Sequence, residues 1–195
     1  MKKPTARAKL LDAAFDEVYT YGYASASIDA ILKRAGVPKG SLYHYFGSKK
    51  ALVLTMVQER LFPKMEAFFR FEKHVGCTVY ESFRNTFAAM SKNRPLIAHG
   101  CPLYRLMVEL SPVDEEFDSL LNSKYHQMHA NIAALLKQGI SEGEFDSALD
   151  ADSFAAFMLS SVWGILSLSP SLSSPKNFLA QSRFLLDELD RHRIK

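Results

Sequence analysis

Residues 27–52, reading SIDAILKRAGVPKGSLYHYFGSKKAL, constrain the fold of this chain more than any other stretch. Ser27 is suited to cap a helix in which Ile28, Ile31, Leu32 and Ala35 recur at three- and four-residue spacing. Gly36 stands where a helix end needs a left-handed residue, and Pro38 presets the dihedral of the next helical turn. The following helix, from about Pro38 to Tyr45, turns Leu42 and Phe46 inward. Lys39, Gly40, Ser41, Tyr43, His44 and Tyr45 are left on the outer side. Two short helices joined by a tight Gly-containing turn make a helix-turn-helix, whose second helix enters the major groove of DNA.

An ordinary helical hairpin with a polar outer face explains the apolar spacing as well. It does not explain three rings with polar handles, Tyr43, His44 and Tyr45, gathered beside Lys39, Lys49 and Lys50 on a surface expected to be wet. The charge is distributed to match. Residues 1–50 carry nine Lys and Arg against four Asp and Glu, a balance of +5, whereas the remainder carries fifteen against seventeen, a balance of −2. Phosphate neutralisation asks for a basic head on a near-neutral body, and solubility alone does not.

The resemblance carried by these residues is to the TetR family of bacterial transcriptional repressors. It rests on an amphipathic opening helix ending in Tyr21-Gly22-Tyr23, the Ser27-Ile28-Asp29 start and the Ala35-Gly36-Val37 turn. The run Lys39-Gly40-Ser41-Leu42-Tyr43-His44-Tyr45-Phe46, followed by Ser48-Lys49, completes it. By resemblance to the family motif, the DNA-binding positions are Ser27, Lys39, Gly40, Ser41, Tyr43, His44, Tyr45 and Lys49. Lys39, Lys49 and the Gly40 backbone are expected to hold phosphates, and Ser27 to lend amide donors at its helix start. Ser41, Tyr43 and His44 are expected at base edges, with a tyrosine ring suited to a thymine methyl. Lys2, Lys3 and Arg7 form either a basic arm onto DNA or a disordered terminus.

The rest of the chain reads as helical throughout, with no strand signal and no internal repeat, so the fold class is all-α. The expected helices are 4–21, the two described above, one from Ser48 that Pro63 kinks or divides, 78–92, 100–110, 114–141, 150–168 and 175–191. Nine helices divided as three plus six is also the family's plan. It implies a DNA-binding domain at 1–48 and an effector-binding and dimerisation domain at 49–195. The family further implies a homodimer built on the last two helices and a palindromic double-stranded operator read by paired recognition helices. Phe154, Phe157, Met158, Ser161, Val162 and Ile165, with Phe178, Ser182, Leu185, Leu186 and Leu189, offer apolar faces for a partner or for the chain's own core.

A small-molecule effector of unknown identity is expected in the body. Its lining is sought among Phe62, Phe83, Phe87, Cys101, Tyr104, Met107, Tyr125, Met128 and Trp163, a stripe that also suits plain core. Gly164 leaves room beside Trp163. Cys101, at a helix start before Pro102, is expected to have a lowered thiol pKa, with His99 assisting. Gly100-Cys101, an apolar helix and Glu109 resemble a TetR subgroup that includes regulators responding to reactive electrophiles. In one such type a late lysine, here Lys176, works with the cysteine. Alternatively Cys101 is buried and inert.

His126 and His129 lie three apart, but a metal needs more converging ligands, so neither metal nor cofactor is expected. The uncharged stretch between Asp152 and Lys176 has an apolar part shorter than the roughly 20 residues a bilayer span requires. Two cysteines give no disulfide framework and nothing resembling a signal peptide precedes Lys2, so a cytoplasmic protein is expected. No nucleophile–base arrangement, paired carboxylate motif or phosphate loop supports an enzyme. The expected function is therefore a homodimeric repressor released by an effector or by modification of Cys101. A transcriptional activator of the same fold, or a small helical enzyme or binding module, is the alternative.

Overall fold

A computed structural model describes residues 4–168 and 172–194, apart from the side chain of Phe68. In chain order the elements are α1 Ala6–Tyr21, α2 Ile28–Ala35, α3 Lys39–Tyr45, α4 Lys49–Met56, a π-helical turn Val57–Leu61 and α5 Phe62–Phe68. There follow α6 Val79–Lys92, α7 Arg94–His99, α8 Pro102–Leu110, α9 Glu115–Ser141, α10 Ala151–Leu166 and α11 Pro175–Asp190. The fold is all-α. Among the described residues the chain forms no strand, and Phe145 and Arg193 make an isolated backbone bridge.

Most helix starts are fixed by a side chain that accepts an otherwise orphaned amide. Thr5 does this for α1, Ser27 for α2, Ser48 for α4 and Ser174 for α11. At α6 Thr78 and Glu81 satisfy each other's backbone amides in a capping box. Helix α7 was not expected from the sequence. Asn93 caps it and Pro95 sits in its first turn, but it is six residues long, too short for apolar periodicity to declare itself. Of the loop expected before α11, residues 169–171 lie outside the described residues.

Pro63 was expected to kink or divide the long fourth helix, and the structure shows a gentler solution. The π-helical turn Val57–Leu61 ends two residues before it, with the Phe62 amide bonded to the Val57 carbonyl. A proline in a regular helix clashes with the carbonyl four residues back, and a wider i→i+5 turn relieves that crowding. The turn also keeps one face inward. Val53, Val57, Leu61 and Met65 are all buried, although residues four apart on a regular helix precess by about 40° per step.

The chain divides into two compact units, Met1–Ala67 with Arg105–Leu121, and Phe68–Tyr104 with Asn122–Lys195. The boundary expected after residue 48 falls inside the first of them. In the first unit α1 packs on α2, α3, α4 and the π-helical turn. Leu10, Leu11 and Ala14 of α1 are wholly buried there, as are Ile31, Leu42 and Leu52.

In the second unit α11 packs on α6 and α10, with α7 against both α6 and α10. Glu144 accepts from the amides of Val79 (2.6 Å) and Tyr80 (2.9 Å), anchoring the start of α6. Gly139 is needed beneath Phe145, because a Cβ there would lie 2.5 Å from the ring. Among the described residues no helix is long and apolar enough to cross a membrane.

The apolar faces offered to a partner turn mostly inward. Phe154, Met158 and Val162 are buried within the chain, as are Phe178, Ser182, Leu185, Leu186 and Leu189. The large apolar side chains left exposed on these two helices are Phe157 (50%), Leu179 (43%) and Phe184 (75%). A groove of about 870 Å³ runs between Phe157 on α10 and Phe184 on α11.

Candidate nucleic-acid interface

The reading head is assembled by short-range rules. The Ser27 hydroxyl oxygen accepts from the Ala30 amide at 3.1 Å, and Asp29 and Arg34 place charges that complement the dipole of α2. Gly36 adopts the left-handed conformation (φ 64°, ψ 40°), and its amide closes the helix onto the Leu32 carbonyl. This is the conformation in which a side chain is strained, so the turn depends on glycine. Pro38 precedes α3, where Leu42 is fully buried. Phe46, expected beside it in the core, is only half-buried.

Burying Leu42 determines what α3 presents. Lys39, Gly40, Tyr43, His44 and Tyr45 are exposed, and Ser41 is partly so. Tyr43 projects half of its surface to solvent, and the His44 and Tyr45 rings meet edge to face at 4.8 Å. No Cβ contact would arise at Gly40 within 4 Å, so the backbone there is open to close approach. Ser27 is exposed at the start of α2.

Three basic residues differ from expectation. The Lys49 ammonium donates to the Tyr23 carbonyl at 2.6 Å and stands 4.6 Å from the Tyr23 ring centre. Burial lowers its pKa, with the nearby Glu109 carboxylate acting the other way. Lys50 is paired with Asp114 (2.7 Å) and Glu116 (3.1 Å), and this holds the Asp114 carboxyl below its ordinary range. Arg7 grips both carboxylate oxygens of Glu59 (2.8 and 2.5 Å) and lies over the Phe46 ring, so it is a strut of the first unit rather than part of a free arm. Lys2 and Lys3 lie outside the described residues.

The residues proposed for an effector separate into groups. Phe62 and Met107 belong to the first unit. In the second unit Tyr104 stacks on Trp163 with ring centres 5.0 Å apart, and Tyr125 leans on the same indole at 5.5 Å. Phe87 turns instead to Phe178 at 6.4 Å, and Phe83 packs with Phe71 at 5.8 Å. Met128 is buried. Gly164 faces outward with nothing within 4 Å of a would-be Cβ, so it opens no space at the Trp163 ring.

Cys101 is buried, and burial pushes its thiol up to about 11. The backbone amides of Tyr104 and Leu103 at the helix start favour the thiolate, as does the Trp163 indole, but they are outweighed. The lowered pKa expected from the helix N-terminus is thus reversed by desolvation. Trp163 Nε1 approaches the sulfur without a hydrogen bond of normal geometry and is a buried donor lacking a partner. His99 and Lys176 are exposed. His129 contacts the Asp152 carbonyl at 3.0 Å, His126 is exposed, and among the described residues no three His, Cys, Asp or Glu converge as a metal site.

Two family models cover most of the chain. Residues 10–56 match the bacterial regulatory proteins of the tetR family, and residues 80–182 match the tetracyclin repressor-like C-terminal domain. The chain belongs to the TetR family. It is a DNA-binding transcriptional regulator of the helix-turn-helix type. Among TetR-family relatives, the repressor DhaR of Mycobacterium sp. is 25% identical over 166 residues, covering 85% of this chain and 83% of that one. An HTH-type regulator from the lacX 3′ region of Lactococcus lactis is 28% identical over 134 residues, 64% of this chain and just 65% of that protein. A TetR regulator from Chloroflexus aurantiacus shares the fold, with a TM-score of 0.85 at 21% identity and 97% of each chain covered.

Proposed function

We propose that the chain is a homodimeric repressor whose two α3 helices read successive major-groove faces of a palindromic operator, about 34 Å apart. The observation that carries this reading is the outer face of α3, where Lys39, Tyr43, His44 and Tyr45 stand exposed above a fully buried Leu42. Tyr43 and His44, with Ser41, address base edges. Lys39, the Gly40 backbone and the start of α2 at Ser27 hold phosphates. Lys49 supports the head from within. The partner is taken up along α10 and α11, where Phe157 and Phe184 are exposed beside a groove.

Release comes from a small molecule that engages the Tyr104–Tyr125–Trp163 rings, whose unpartnered indole N–H offers a donor. Modification of Cys101 is the second route, and it requires the buried thiol first to be uncovered. The site of action is the cytoplasm, and the chain performs no catalysis. The test is a mobility-shift titration against the DNA upstream of its own gene. Binding that is sequence-specific, two-fold in stoichiometry and steeply salt-dependent supports the reading, whereas equal affinity for unrelated duplexes removes it. Trp163 is the single tryptophan, so its fluorescence reports effector binding directly.

A further inference from the structure

Glu109 takes no part in the reading face, yet both of its carboxylate oxygens are occupied. Oε2 accepts from the Tyr23 amide at 2.8 Å and Oε1 from the Ala24 amide at 2.6 Å. One turn earlier on α8, Arg105 donates to the Tyr19 carbonyl at 2.7 Å. The two side chains therefore clasp the end of α1 from a single helix face. Gly22, at φ 84°, permits the approach, since a Cβ there would stand 3.1 Å from Glu109 Oε2.

This arrangement is not what stabilising α1 alone would select. A helix C-terminus carries partial negative charge, and a carboxylate beside it is unfavourable. The return comes from the loop. The Tyr23–Ala24 peptide gives its N–H to Glu109 and takes the Lys49 ammonium on its C=O at 2.6 Å. One rigid peptide plane is thus gripped from opposite edges by α8 and by the first residue of α4. It lies just ahead of Ser27, which starts α2, while Lys49 follows directly after α3 and Ser48. Both ends of the helix-turn-helix are referred to the same plane.

We infer that Glu109, assisted by Arg105, is a positioning residue for DNA recognition, holding the Tyr23–Ala24 peptide and through it the orientation of α2 and α3 on α8. The inference needs only that the protein binds DNA, not the dimer or effector reading.

The test uses the full chain and a duplex that the wild type selects from a randomised pool, so that DNA recognition is secured before any variant is compared. Glu109→Gln keeps the shape but sets an NH2 against one of the two backbone donors. It is expected to weaken binding to the selected duplex about tenfold or more. Hydrogen exchange at the Tyr23 and Ala24 amides should quicken, with the melting midpoint within about 4 °C of the wild type. Glu109→Asp keeps the charge, falls one methylene short, and should lie between the two. Unchanged affinity despite faster exchange at those amides overturns the inference. So does an affinity loss that only follows loss of the cooperative melt, and if the Gln variant does not fold, the Asp variant is judged by the same two criteria.

Discussion

The Lys49 ammonium is committed to the Tyr23 carbonyl and ring, so the basic residue that the family motif offers beside α3 faces into the head. Lys39, by contrast, is exposed at the start of α3. Lys39→Ala is therefore expected to lower the slope of log affinity against log salt by about one unit, the signature of a lost phosphate contact. Lys49→Ala should weaken binding with little change in that slope. Titrations at several salt concentrations separate the two, and a matching drop in slope for both variants defeats the assignment.

Tyr43 is half exposed on a helix anchored by Leu42. Tyr43→Ala is expected to abolish sequence-specific binding while changing stability by no more than about 0.5 kcal/mol. A mobility shift beside a urea melt measures both quantities. Retained specificity would remove the tyrosine from base recognition.

The thiol of Cys101 is raised from 9.0 to about 11 in the folded chain. A group with a raised folded pKa contributes stability fully present below its unfolded value, here about 9, and lost as pH climbs through about 11. Between pH 8 and 10.5 the wild type should lose about 2 kcal/mol more than Cys101→Ala. At neutral pH, alkylation of native Cys101 should be far slower than in urea. Equal rates in the two conditions would revive the view of a poised sensor.

Phe184 leaves three quarters of its surface uncovered on α11. Phe184→Glu should shift sedimentation toward the monomer and reduce operator affinity, with little change in the intrinsic stability of the fold. An unchanged sedimentation profile would place the partner elsewhere.

Gly139 sits under Phe145, and Gly139→Ala would drive a methyl into the ring face. The expected loss is about 1–3 kcal/mol in a denaturant titration, despite alanine's better helix propensity. A stabilised variant would show that the Phe145 ring can move aside.

Much of this was readable from local chemistry. Ser27, Gly36 and Ser48 announced the ends of the head helices because capping needs only neighbours in sequence. The all-α class followed from apolar periodicity. What escaped depended on partners distant in the chain. Glu109 is visible in sequence as part of a pattern, but its contacts lie 85 and 86 residues away. Phe184 falls off the Phe178–Ser182–Leu185–Leu189 stripe, so periodicity did not bring it forward. At Cys101 both a lowered thiol pKa and a buried, inert thiol stayed open in the sequence, because a helix start is visible there and the depth of burial around it is not.

The π-helical turn ahead of Pro63 holds one residue more than a regular turn, like a leap day in a calendar. Wound as a regular helix, the same residues would turn everything after them on that helix by about 100°, and Lys64 would replace Met65 on the inward face. Deleting one of residues 58–60 cancels that rotation, so the shortened helix keeps Met65 inward but loses the wide turn that makes room for Pro63. The turn thus absorbs a one-residue difference in length without changing the face that α5 presents.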